Sequence, residues 1–122
     1  TSSTAGQMGY PLRSPYASAK WAIVGLTKTL AMELGEAGVR VNAICPGAVE
    51  GPRMDRVIEN EASARGQAVD AVRQSYVKGV SMKTWVTAQD IANTVRFLAS
   101  PSGSKISGQI LAVDGHTETL AP

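Results

Sequence analysis

The sequence predicts an α/β protein built on parallel strands, and three observations predict it. A long helical pattern, Ser14 to Glu33, leads into a β-branched segment, Gly38 to Ile44. A second helical pattern, Thr87 to Ala99, precedes a short apolar run, Ile110 to Val113. Between them, Cys45-Pro46-Gly47 ends the first strand at its carboxyl end, where open sheets of this class bind ligands. Helix followed by strand is half of a βαβ unit, and strands joined through helices pair in parallel.

Composition narrows the possibilities. A chain of 122 residues has room for one small domain. Its 43% hydrophobic content and 18% charged residues fit neither a disordered segment nor a membrane protein. No apolar run approaches the roughly 18 residues that a spanning helix needs. A net charge of +2, with Lys and Arg dispersed, argues against a nucleic-acid partner. The chain opens TSSTAG, without the basic and apolar segments of a leader peptide. It lacks a starting methionine, so a fragment of a longer protein is expected. One cysteine, Cys45, excludes an internal disulfide and suits a reducing, cytoplasmic setting.

Residues 1 to 13 are small, polar and turn-rich, and read as a strand end passing into a loop. The helix that follows should be capped by Ser14 with Pro15 at its first position, and ended by Gly35 and Gly38. Tyr16 and Lys20, four residues apart, stack on one side of it. At 100° per residue, Ile23, Thr27, Leu30 and Leu34 continue that face as a mostly apolar stripe. The phenol and ammonium therefore sit at the rim of a core. A free tyrosine, with a pKa of about 10, is a poor base near neutrality. An ammonium within a few Å favours the phenolate, which prepares the phenol for general acid–base work at a carbonyl or alcohol. An isolated Tyr-x-x-x-Lys is an ordinary helical pair; here its neighbours change the reading.

In the strand 38–44, Val39, Val41 and Ala43 alternate, with Ile44 beyond. Residues 54 to 80 carry two helical runs, Met54/Val57/Ile58/Ala62 and Val69/Val72/Tyr76, separated by Gly66. They read as a pair of short amphipathic helices forming a lid, with Glu59, Asn60, Glu61 and Arg73 on solvated faces. Thr87 and Asp90 make a capping box, and Ile91, Val95 and Leu98 form the buried stripe of the helix they open. Ser100-Pro101 stops it. His116, the only histidine, has no catalytic partner nearby in sequence and reads as structural or solvated. A second apolar stripe on the first helix, Ala17, Trp21, Val24 and Ala31, is expected to pack on a neighbouring helix and a symmetry-related subunit.

Ser3 stands thirteen residues before Tyr16-x-x-x-Lys20, and N-A-I-C-P-G follows at 42 to 47. In that order and spacing the chain resembles the short-chain dehydrogenase/reductase family, from Ser3 to V-D-G at 113 to 115. The resemblance covers the C-terminal half of a single-domain member. It implies residues 1–122 as the C-terminal part of one Rossmann-like, doubly wound parallel sheet, with the dinucleotide-binding half outside this sequence. Ser3 would polarise the substrate oxygen, Ser2 being the weaker candidate because its spacing is off by one. Tyr16 would be the proton donor or acceptor. Lys20 would lower the Tyr16 pKa and bind the nicotinamide ribose. Pro46, Gly47 and Val49 would meet the nicotinamide carboxamide through their backbone. The implied reaction is hydride transfer between NAD or NADP and a secondary alcohol or ketone. The implied assembly is a homodimer or homotetramer.

Two features depart from that pattern. Where many members place a threonine five residues after the proline, this chain has Gly51, followed by Pro52 and Arg53. The Gly-rich turn that would hold a pyrophosphate is absent, so the 122 residues alone should neither bind dinucleotide tightly nor turn over. Two other readings stand beside the first. One is a related Tyr/Lys epimerase or dehydratase, which usually carries a larger substrate domain. The other is a non-catalytic scaffold that keeps the fold, against which the Ser3, Tyr16 and Lys20 triplet argues.

Overall fold

The computed structural model describes residues 1–121. Its elements run α1 (Ser14–Leu34), β1 (Ala43–Pro46), α2 (Pro52–Arg65), α3 (Val69–Ser75), α4 (Ala88–Ala99) and β2 (Ile110–Val113). Short 3-10 turns occupy Thr4–Gly6, Gly35–Ala37 and Pro101–Gly103. β1 and β2 pair in parallel, Ala43 with Ile110 through Pro46 with Val113. On the other side of β1, the Ser2 N–H donates to the Ile44 carbonyl at 2.8 Å. Residues 1–3 therefore run beside β1, as a strand end leading into a loop.

α1 starts differently from expectation. Arg13 occupies the N-cap position and Ser14 is already helical. The Ala17 N–H reaches back to the Arg13 carbonyl at 2.9 Å, and no side chain caps the end. At its other end the helix tightens into the turn Gly35–Ala37 and is released by Gly38, at φ 75°. That left-handed conformation is accessible to glycine without steric cost.

The first strand is shorter and later than the alternating valines suggest. Residues 39 to 42 are tied to 106–109 by one backbone bond, from Gly108 N–H to the Val41 carbonyl at 2.7 Å, and otherwise by side chains instead of a ladder. Asn42 Nδ2 and Arg40 Nη1 donate to the Ile106 carbonyl, at 2.9 and 3.2 Å, and Asn42 Oδ1 accepts from Gln109 N–H at 3.1 Å. The ladder begins only at Ala43. Ala43, Ile44 and Cys45 are then buried consecutively, as a strand covered on both faces should be.

α2 and α3 form the expected helical pair, with Gly66 between them at φ 62°. Their core is Ile58, Ala62 and Val72, flanked by Met54, Tyr76 and Trp85. α4 opens with the full capping box: Thr87 Oγ1 accepts from Asp90 N–H, and the Asp90 carboxylate accepts from Thr87 N–H. Of its expected buried stripe only Leu98 is buried; Ile91 is half-buried and Val95 half-exposed. α4 packs on β2 and on the turn Pro101–Gly103, and Val95 and Phe97 are each about half exposed.

Candidate active site

Ser2 and Ser3 are adjacent, but the fold uses them differently. Ser3 has an extended backbone, φ −165° and ψ 162°, and neighbouring side chains on extended backbone point to opposite sides. Ser2 is buried and its hydroxyl donates to the Lys20 carbonyl at 2.8 Å. That bond pins the opening segment to the second turn of α1. Gly6 completes the contact, since a Cβ there would collide with Ser2 Oγ and the Lys20 carbonyl. Ser3 caps the turn Thr4–Gly6 by accepting from Ala5 N–H at 3.1 Å. The Ser3 oxygen thus has one lone pair occupied, and among the described residues its proton has no acceptor. A hydroxyl in that condition can donate to an incoming oxygen.

Tyr16 and Lys20 share the face that the helical period predicts. The Lys20 ammonium lies 5.5 Å from the centroid of the Tyr16 ring. Tyr16 is 46% exposed and Lys20 is half-buried, so the phenol meets solvent while the amine is partly held by the protein. Farther along, Thr27 is buried and Ile23, Leu30 and Leu34 are half-buried, which roots the pair in the core.

The segment after β1 is placed by its neighbours. Gly47 N–H donates to the Val113 carbonyl at 3.0 Å, and a Cβ at Gly47 would stand 2.6 Å from Asp114 Cβ. Close approach to the end of β2 is therefore sufficient reason for glycine there. Val49 forms a parallel bridge with Val86. Both bonds of that bridge belong to its neighbours: Val86 N–H donates to the Ala48 carbonyl and Glu50 N–H to the Val86 carbonyl, each at 2.8 Å. The Val49 N–H and C=O point the other way and, among the described residues, have no partner. An N–H and a C=O displayed side by side like this fit a primary carboxamide, which offers both an acceptor oxygen and NH2 donors.

Other chemistry-bearing groups have structural roles. Cys45 is fully buried and burial pushes its thiol pKa up, which keeps it neutral and unreactive. His116 is exposed, as expected, with Nδ1 3.0 Å from Ser81 Oγ. Glu59 and Asn60 are exposed, but Glu61 and Arg73 are not the solvated pair anticipated. Glu61 accepts from the Tyr76 hydroxyl at 2.7 Å and pairs with Arg65 at 2.9 Å, while Arg73 pairs with Asp55. Arg53 is exposed on the first turn of α2. Sequence reasoning missed Asp114 and Val86, the residues that hold Gly47 and Val49. Both contacts are long-range, so nothing local signals them.

A parallel sheet, a helix carrying a tyrosine–lysine pair and a Pro-Gly loop at a strand's carboxyl end place the molecule in the α/β class. The family model described as Enoyl-(Acyl carrier protein) reductase matches residues 1–116. The chain belongs to the short-chain dehydrogenase/reductase family. It is 37% identical over 111 residues to the D-beta-hydroxybutyrate dehydrogenase of Rhizobium meliloti (strain 1021), covering 90% of this chain and 43% of that protein. Actinorhodin polyketide ketoreductase, F189W, solved with NADPH, superposes with a TM-score of 0.83 at 32% identity. That match covers 93% of this chain and 44% of the other. 4-Hydroxyisoleucine dehydrogenase complexed with NADH gives 0.71 at 30% identity, over 94% and 43%. The chain thus spans less than half the length of these relatives, and what it spans is the parallel α/β fold they share.

Proposed function

We propose that this chain is the C-terminal part of an NAD(P)-dependent dehydrogenase/reductase that interconverts a secondary alcohol and a ketone in the cytoplasm. The observation that carries the reading is the Lys20 ammonium 5.5 Å from the Tyr16 ring, on a helix to which the Ser3 loop is pinned at Lys20. Tyr16 gives a proton to the carbonyl oxygen during reduction and takes it back during oxidation. Ser3 donates a hydrogen bond to the same oxygen and so polarises the carbonyl. The Lys20 charge stabilises negative charge on the phenol oxygen while its proton is away.

The cofactor fit rests on the unpaired peptide group of Val49 beside Pro46 and Gly47. Those three residues would hold the carboxamide and Lys20 the ribose. The bound nicotinamide supplies or accepts the hydride; this chain's own residues orient the partners and manage the proton. The relatives solved with NADH and with NADPH support NAD or NADP as the cofactor. The α2–α3 pair serves as the lid over the substrate.

Tyr16→Phe in the full-length protein tests the reading. Expected is a loss of hydride transfer of about 10²- to 10⁴-fold, with thermal unfolding unchanged. Retained turnover would refute the assignment, and an unaffected scaffold function would favour the non-catalytic alternative. Assembly follows from the second stripe of α1, where Trp21 is half-exposed. Sedimentation of the full-length protein should give a dimer or tetramer, and a monomer would count against it.

A further inference from the structure

Both ends of the α2–α3 excursion are fastened to the loop after β1 and to the C-terminal segment. Its entry and exit are joined to each other by the Val49–Val86 bridge. Its returning stretch is fastened again: Ser81 N–H donates to the His116 carbonyl at 2.8 Å, Met82 N–H to Gly115 at 3.1 Å, and Glu118 N–H to Gly79 at 2.8 Å. Val80 and Thr117 form an antiparallel bridge there, and a Cβ on Gly79 would collide with the Thr119 carbonyl. Residues 79–86 are thus part of a fixed frame, and α2 and α3 rest on it through Trp85.

Trp85 connects the two by packing on the α2–α3 core, and one charged side chain adds to that contact. Arg73, on α3, pairs with Asp55 in the first turn of α2 and lies over the Trp85 ring, 5.4 Å from its centroid. Trp85 directly precedes Val86, whose backbone brackets Val49. Resting on the lid reading above, we propose that Arg73 is a positioning residue that latches the α2–α3 lid to the cofactor loop by joining Asp55 and Trp85. The latch has two parts of different chemistry. An ion pair needs only charge, whereas stacking on an indole needs the planar guanidinium. Trp85 Nε1 is buried without an acceptor among the described residues, so the ring is held by packing and by Arg73. The Tyr76 ring also packs on Trp85, with its centroid 5.8 Å away and its plane tilted by 36°.

The test uses the full-length protein, with D-β-hydroxybutyrate plus NAD and a 3-oxoacyl thioester plus NADPH as probes. Arg73→Met should raise KM for the accepted probe roughly three- to tenfold, with cofactor affinity unchanged and kcat changed less than KM. Arg73→Lys, which keeps the charge, should recover part of the loss. Amide hydrogen exchange should quicken in α2 and α3 of Arg73→Met and stay unchanged in α4. Unaltered exchange in α2 and α3 overturns the latch, as does an equal rise in exchange across α4. If Arg73→Met does not fold, Asp55→Asn is read by the same criteria. Should the parent protein oxidise or reduce neither probe, the exchange comparison still decides the latch, while Tyr16→Phe on a wider substrate panel decides the activity.

Discussion

Tyr16 and Tyr76 are both phenols beside a charged group, and the sign of that charge separates their roles. Tyr76 is pushed up to about 12 by burial first, then by its hydrogen bond to Glu61 and the carboxylate's charge. It stays protonated and serves as a donor that ties α3 to α2. Tyr16 has a cation beside its ring and is open to solvent, which suits the proton-carrying role proposed for it. The Tyr76 contact has a pH signature. In the unfolded chain the phenol loses its proton near its ordinary value of 10, while the folded protein holds it to about 12. Below pH 10 the contribution is complete, and it disappears as pH rises through 12, so stability falls across that window. Tyr76→Phe should be less stable than the parent at neutral pH, by about 1.5 kcal/mol for a bond to a charged acceptor. Urea unfolding from pH 9 to 11.5 should show the two curves converging as pH rises. A constant gap would mean that the Tyr76 phenol titrates alike in the folded and unfolded chains.

At the scale of single elements, local signals were legible and long-range ones were not. The capping box of α4 needs only Thr87, Asp90 and the N–H groups between them, so the sequence contains the whole device. Gly66 and Gly38 end or separate helices for an equally local reason, their positive φ. Ser14 looked like a cap because it precedes Pro15, yet a first turn begun one residue earlier takes the hydroxyl out of capping position. Strand bounds failed similarly. Val39 and Val41 alternate correctly, but their segment is held by Asn42 and Arg40 reaching across to Ile106 and by a Gly108 N–H bond to Val41, all more than sixty residues away. A pair of substitutions tests the contrast. Thr87→Ala should cost about 1 kcal/mol through the lost cap, and Ser14→Ala should stay within about 0.5 kcal/mol of the parent. Chemical denaturation of both variants measures it. Equal losses would restore Ser14 as a functioning cap. Asp90, held below its ordinary carboxylate value by the Thr87 backbone and hydroxyl, contributes its part of the box above that value. It loses it as pH falls through the lowered one.

The whole molecule is where the 122 residues show what they lack. Ser3, Tyr16, Lys20, Pro46, Gly47 and Val49 are singled out through the family resemblance, and of their spacings only that of Tyr16 and Lys20 is fixed by a single helix. How the fold holds Gly47 against Asp114 and Val49 against Val86 could not be read, because the partners come from other ends of the chain. Only two paired strands are present among the described residues, and large apolar side chains meet solvent on α1, on α4 and in the loops. Met32 is 85% exposed and Leu12 is 89% exposed; Trp21, Leu26, Val95 and Phe97 are each about half so. Such surface calls for a cover, which in the proposed reading comes from the dinucleotide-binding half and from a second subunit. In the proposed reading the Val49 backbone and the Lys20 ammonium hold only the nicotinamide and its ribose. Among the described residues no Gly-rich turn opens a helix toward a pyrophosphate, where most dinucleotide affinity of this fold class arises. The isolated 122 residues should therefore show no micromolar affinity for NAD(P)(H) by titration calorimetry, and no turnover, whereas the full-length protein binds. Micromolar binding by the isolated chain would place the principal cofactor contacts within these residues and overturn the division of labour proposed for the two halves.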